Sequence, residues 1–160
     1  MNNAHPATQI VVDTEVPLVR IVREFAAPPD RVFRAHTDPA LFAQWIGPRG
    51  NQAHVVDLFD CHTGGAYRYE IRHPGFAAGF FGSFHEVRPS SLIVQTFCFE
   101  GMRDGVALER LVFEAIADGR TRLSVTSLVD SFAARDAFVA SGMETGVVDG
   151  YERLDEVLAG

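Results

Sequence analysis

Apolar and charged positions alternate along LVRIVREF, residues 18–25. Val19, Ile21, Arg23 and Phe25 fall on one side, and Leu18, Arg20, Val22 and Glu24 on the other. This period of two predicts a β-strand. AAPPD, residues 26–30, stops it, because Pro28 and Pro29 cannot continue a ladder but suit the first turn of a helix. A short helix is predicted over 29–37, with Asp30 near its N-terminus and Val32, Phe33 and His36 on one side. Asp38-Pro39 breaks it and starts a second, in which Leu41, Phe42, Trp45 and Ile46 recur at helical spacing until Gly47-Pro48. From residue 51 the period returns to two. Strand-like runs lie at 55–59, 66–73, 79–87, 91–100, 107–116 and 121–129, separated by turn residues such as Pro74-Gly75 and Asp118-Gly119. Short links between neighbouring runs predict an antiparallel meander. A short helical piece follows at 133–139. Then Met143, Val147, Tyr151, Leu154 and Leu158 repeat at intervals of four, four, three and four, which predicts a long amphipathic helix.

The sum is an α+β fold: a seven-stranded antiparallel sheet with one face covered by the long C-terminal helix, and two short helices after the first strand. Residues 1–16 are polar, contain a Pro and show no sustained period. They are expected to form a flexible N-terminal arm or, at most, the lead-in to the first strand, and 17–160 a single domain.

Composition narrows the picture. At 160 residues, rich in Phe, the chain is long enough to bury roughly 70% of its unfolded surface. Net charge is −7, which disfavours nucleic acid and an anionic membrane surface. All 14 basic residues are Arg. The absence of Lys excludes a Schiff-base lysine and a P-loop lysine. Cys61 and Cys98 are far apart with no C-x-x-C, and are read as two free thiols. The first residues show no signal-peptide pattern and no apolar run is long enough to span a bilayer, so a cytoplasmic location is expected.

The order of these elements, and the words that fill them, resemble the helix-grip superfamily of START and Bet v 1-like proteins, also called SRPBCC. The closest resemblance is to its bacterial branch, related to the activator of the 90-kDa heat-shock chaperone ATPase. The matching words are IVREFAAPPDRVFRAHTDPALFAQWIGP at 21–48, GGAYRYE at 64–70, GSFHEVRPSSLIVQTF at 82–97 and SGMETGVVDGYERLDEVL at 141–158. Relatives often carry Trp where Val147 stands, and Pro where Thr63 precedes the Gly-Gly pair. The resemblance implies a curved sheet gripping the C-terminal helix, with a cavity between them open to small apolar or aromatic ligands. It implies no particular reaction.

Candidate chemistry is assessed against that cavity. Trp45, Phe59, Tyr67, Tyr69, Phe81, Phe84, Phe97, Phe99 and Phe113 lie in segments expected to face the helix. Packed core is the ordinary role of any one of them. As a group, facing a curved sheet, they suit a pocket of ~300–1,000 Å³. Strand parity places Tyr67, Tyr69 and Ile71 inward, and Arg68, Glu70 and Arg72 outward. The predicted pocket residues are Trp45, Phe59, Tyr67, Tyr69, Phe84, Phe97, Met143, Val147 and Tyr151. Gly142, Gly146 and Gly150 leave a bare stripe on the long helix, at a cost of about 1 kcal/mol each relative to Ala. Either close packing or room for a ligand accounts for it, and Gly142 also suits a joint between helices.

The six His are scattered, with no metal-binding spacing, so neither a metal nor a cofactor is expected. His62, near the expected rim, is the one acid/base candidate. Glu70, Glu86, Glu100, Glu109 and Glu114 read as mostly outward, paired with Arg68, Arg72, Arg88 and Arg110 on a solvated face. No nucleophile motif is present, so a catalytic role has no positive support. The expected function is binding of a small apolar or aromatic molecule, as carrier or sensor. A cyclase- or dehydratase-like enzyme using the same pocket is the first alternative. A chaperone-interaction module, or a homodimer, leaves the partner question open.

Overall fold

The computed structural model describes residues 8–50 and 53–160. Eight strands form one antiparallel sheet: β1 (Gln9–Val12), β2 (Leu18–Phe25), β3 (Ala53–Phe59), β4 (Ala66–His73), β5 (Phe76–Arg88), β6 (Leu92–Phe99), β7 (Val106–Ile116) and β8 (Arg120–Leu128). Their spatial order is β1-β2-β8-β7-β6-β5-β4-β3. The meander runs from β3 to β8, and β2 closes against β8. One more strand is present than the seven expected. β1 pairs Gln9–Val12 with Val22–Val19 at the sheet edge, where backbone hydrogen bonds supply what its apolar pattern did not announce. Of the expected N-terminal arm, residues 1–7 lie outside the described residues.

Two small helices, α1 (Pro29–Thr37) and α2 (Pro39–Trp45), follow β2. The prolines sit in their first turns. Asp38 caps α2, its Oδ1 accepting from the Ala40 backbone N–H at 2.9 Å. After the sheet come α3 (Phe132–Ala140) and α4 (Met143–Ala159). Ser131 caps α3 through the Ala134 N–H. Gly142, at φ +87°, turns the chain between the two helices and so marks a joint. Among the described residues no helix is long and apolar enough to cross a membrane.

α4 lies across the concave face of the sheet, and the packing beneath it is uneven. At one end Phe25, Val32, Phe113, Leu123, Leu154 and Leu158 are all buried and fill the space. Arg23, on the inward side of β2, is buried there too, and grips Asp155 of α4 through two hydrogen bonds of 2.7 Å. At the other end sheet and helix diverge. Two irregularities shape that end. Register shifts between Val56 and Leu58 in β3, and between Phe84 and Glu86 in β5. Each lets residues three apart, Val56 with Phe59 and Phe84 with Val87, pack against the same core.

Candidate functional site

Where sheet and α4 diverge, a cavity of about 390 Å³ remains. Its floor is the inward face of β4 to β8. Its roof is the first half of α4, with Met143, Gly146, Val147 and Tyr151. Its side wall is α2 and the turn after it, Trp45 to Pro48. All nine residues chosen from the sequence pattern, Trp45, Phe59, Tyr67, Tyr69, Phe84, Phe97, Met143, Val147 and Tyr151, border this space. Joined through Phe42 and Phe80, their aromatic rings form one connected set. Tyr67 and Tyr69 stack at 6.2 Å between centroids, Phe42 meets Tyr69 edge-on at 5.2 Å, and Trp45 lies 6.0 Å from Tyr151. Trp45 is fixed by its indole N–H, which donates to Ala35 O at 2.9 Å.

Other expectations need adjustment. Phe81 faces outward beneath the Arg103 guanidinium, because its parity is opposite to that of Phe80 and Phe84. Phe99 is exposed at the end of β6, and Phe113 packs against Phe33 and His36 in the filled end of the core. His62 is exposed, with Nδ1 2.6 Å from Asp60 Oδ1, and does not border the cavity. Cys61 and Cys98 are both free thiols, and burial pushes Cys61 up to about 11. Among the described residues no group of three potential metal ligands comes together.

The main correction concerns Glu109. It points inward, with Ala107, Leu111 and Phe113 on the same side of β7, and borders the cavity. The pairing of β7 with both neighbours is regular, so parity runs unbroken from Ala107 to Phe113. The sequence concealed this because the opposite parity is apolar as well: Leu108 and Val112 are exposed on the outer face. Glu109 sits in a row across three strands, opposite Gln95 on β6 and Ser127 on β8. Gln95 Nε2 donates to Oε1 at 3.0 Å, and Ser127 Oγ donates to Oε2 at 3.1 Å. Burial raises the carboxyl above its ordinary value, and these two hydrogen bonds oppose the rise without cancelling it. The solvated face reading holds for the other glutamates. Glu70 and Glu100 both pair with Arg68, Glu86 with Arg88, and Glu114 with Arg122.

Further polar groups meet the cavity: the three tyrosine hydroxyls, His36 and His73. The Tyr67 hydroxyl donates to Thr96 O at 2.6 Å, whereas those of Tyr69 and Tyr151 have no hydrogen-bond partner among the described residues. Burial, with the Glu109 charge nearby, raises all three phenols. His36 is buried between Trp45 and Phe113, with Nδ1 2.8 Å from Val32 O. A carbonyl only accepts, so Nδ1 carries the proton and Nε2 is a bare acceptor. Burial lowers its pKa to about 4, so the ring is neutral.

The turn after α2 is tied to α4. The Arg153 guanidinium donates to Ile46 O at 3.0 Å and to Gly47 O, and Asp149 accepts from the Arg49 backbone N–H at 3.1 Å. The glycine stripe divides here. A Cβ on Gly150 would come within 3.1 Å of Trp45 O, so this glycine permits close approach of α4 to α2. At Gly146 the nearest atom is Pro48 Cδ at 3.6 Å, an ordinary contact, so nothing there demands glycine.

Comparison with known proteins agrees with this architecture. The chain is similar to a crystal structure of a Rhodobacter sphaeroides protein, at 29% identity and a TM-score of 0.84, covering 95% of this chain and 97% of that one. A Chromobacterium violaceum protein is 26% identical at a TM-score of 0.79, with 90% and 98% covered. A Mycobacterium smegmatis protein, 23% identical, shares the fold at a TM-score of 0.86 over 96% and 97% of the two chains. No curated protein matches significantly. The family model described as Activator of Hsp90 ATPase homolog 1-like protein matches residues 26–159. With its helix-grip sheet, its C-terminal helix and that match over most of its length, this START/Bet v 1-like chain belongs to the Activator of Hsp90 ATPase homolog 1-like family.

Proposed function

We propose that this domain binds a small apolar or aromatic ligand in the cavity between sheet and α4, as a carrier or sensor. The observation that carries the reading is the cavity itself: about 390 Å³ left open beneath a helix, in a domain whose other end is filled. A void of that size forfeits the dispersion contacts its walls would otherwise make. A ring-sized occupant restores them and gains about 25 cal/mol for each Å² of apolar surface taken from water.

Native mass spectrometry of gently purified protein, followed by denaturation, tests this. A stoichiometric small molecule is expected. Val147→Trp and Tyr69→Trp, which fill the space, should each abolish its retention while the protein stays folded. Unchanged retention in both variants would remove the cavity from the mechanism.

One observation favours a second reading, a cyclase- or dehydratase-like enzyme. Acid–base chemistry requires an ionisable group with a displaced pKa inside the cavity, and Glu109 meets that requirement. Conversion of the released compound by the protein, lost in Glu109→Gln, distinguishes enzyme from carrier.

A further inference from the structure

Glu109 is the only Asp or Glu among the described residues bordering the cavity, and no Arg borders it. The chain contains no Lys. The groups facing the space from the other elements are His36 on α1, Tyr67, Tyr69 and His73 on β4, and Tyr151 on α4. None of these carries a permanent positive charge. Arg23 and Arg153 lie outside this space: Arg23 pairs with Asp155 in the filled end of the core, and Arg153 donates to the carbonyls of the turn after α2.

The partners of Glu109 are arranged for its ionised form. Both donate, one to each oxygen, and a carboxylate accepts at both. A protonated carboxyl would have to reverse one of these bonds or leave its own O–H directed into the cavity. The site therefore provides two neutral donors for a carboxylate and no counter-charge. An uncompensated buried charge of this kind is costly, and a cation placed beside it relieves the cost. The aromatic walls suit a cation as well. The faces of Trp45, Tyr67 and Tyr69 carry the negative side of the ring quadrupole, which attracts ammonium groups. The Tyr69 and Tyr151 hydroxyls, without hydrogen-bond partners among the described residues, are free to accept N–H donors.

We propose that the ligand of this cavity is an organic cation, an aromatic or alkyl amine whose ammonium group sits against the Glu109 carboxylate while its apolar part lies among the aromatic rings. The inference rests on the ligand-binding reading above and adds the charge of the ligand. It also excludes a class: a carboxylate or phosphate ligand would meet Glu109 with no basic group to offset the repulsion.

Three probes of one shape test it: 2-(1-naphthyl)ethylamine, 2-(1-naphthyl)ethanol and 1-naphthylacetate. Each is titrated into the full chain at neutral pH, with saturation-transfer NMR and calorimetry as readouts. The amine should bind at least about tenfold more tightly than the alcohol, as one strong charge-assisted contact allows, and the acetate most weakly. In Glu109→Gln, shown to be folded by circular dichroism, that preference for the amine over the alcohol should vanish. The ranking in the unaltered protein decides the charge preference without any variant. If the alcohol or the acetate equals or exceeds the amine, the cation inference falls and the ligand-binding reading stands. If the amine keeps its advantage in Glu109→Gln, Glu109 is not its partner and the inference falls. If none of the three binds, the ligand-binding reading falls with it.

Discussion

Replacing His36 with phenylalanine should make the protein markedly less sensitive to acid. The imidazole is buried between Trp45 and Phe113, at ring separations of 4.8 and 5.1 Å, and burial lowers its pKa from 6.5 to about 4. A histidine that resists protonation in the native state makes stability depend on pH in a definite direction. Above the unfolded value the ring is neutral in both states and nothing is lost. As pH falls through 6.5 the unfolded chain takes up a proton that the native chain refuses until about 4, so stability drains across that interval. At about 1.4 kcal/mol per unit, the whole interval is worth about 3 kcal/mol, most of which is gone by about pH 4.5. Phenylalanine keeps the ring contacts, and the Val32 carbonyl still accepts the helical hydrogen bond of residue 36.

The assay is urea unfolding followed by circular dichroism at several pH values, for both proteins. With an m-value of about 2 kcal/mol/M, the wild-type midpoint should fall by roughly 1 M more than that of the variant between neutral pH and about pH 4.5. The carboxylates titrate in both proteins, so they cancel in the comparison. Identical pH slopes would refute the reasoning, because they would mean that His36 takes up its proton in the native state as readily as in the unfolded chain.

Glu109 should behave with the opposite sign. Its native pKa is raised, so it costs stability above that value, and the cost disappears as pH falls to the ordinary carboxyl range. Glu109→Gln should therefore be more stable than wild type at neutral pH, with the gain fading on acidification in thermal melts; a constant offset at all pH values would contradict this. The two helix glycines should respond differently to alanine. Gly146→Ala, whose Cβ has ordinary contacts, should gain up to about 1 kcal/mol of helix propensity. Gly150→Ala should gain nothing or lose stability, because its Cβ presses on Trp45 O at 3.1 Å. Equal gains in denaturant melts would show that α4 does not approach α2 so closely. Arg23→Ala should cost about 3 kcal/mol, near the low end for a broken buried pair because Asp155 is partly exposed, and the double variant with Asp155→Ala should recover part of that loss. A loss under about 1 kcal/mol would show that the pair does not hold α4 to the sheet.

Much of this molecule is written in local periodicity. The alternation of LVRIVREF, the prolines at 28, 29 and 39, and the four-residue repeat from Met143 to Leu158 define β2, α1, α2 and α4 nearly to the residue, because each rests on geometry within a few neighbours. The cavity walls were legible for the same reason. Once the sheet and α4 are placed, parity alone directs Tyr67 and Tyr69 inward, and the wheel of α4 presents Val147 and Tyr151. β1 was not legible, since Gln9–Val12 becomes a strand only through its pairing with β2. Glu109 was misread for a related reason. With apolar residues on both sides of β7, the pattern names no inner face, and a charge is by default assigned to solvent. Only the assembled sheet brings Gln95 and Ser127 to either side of it and makes its burial tolerable. The sequence by itself determined the elements and the faces they present, because those depend on the period of the backbone. The tertiary structure decided which residues from distant strands share one cavity, and so placed one carboxyl among aromatic rings, because that depends on register between strands and on where sheet and helix part.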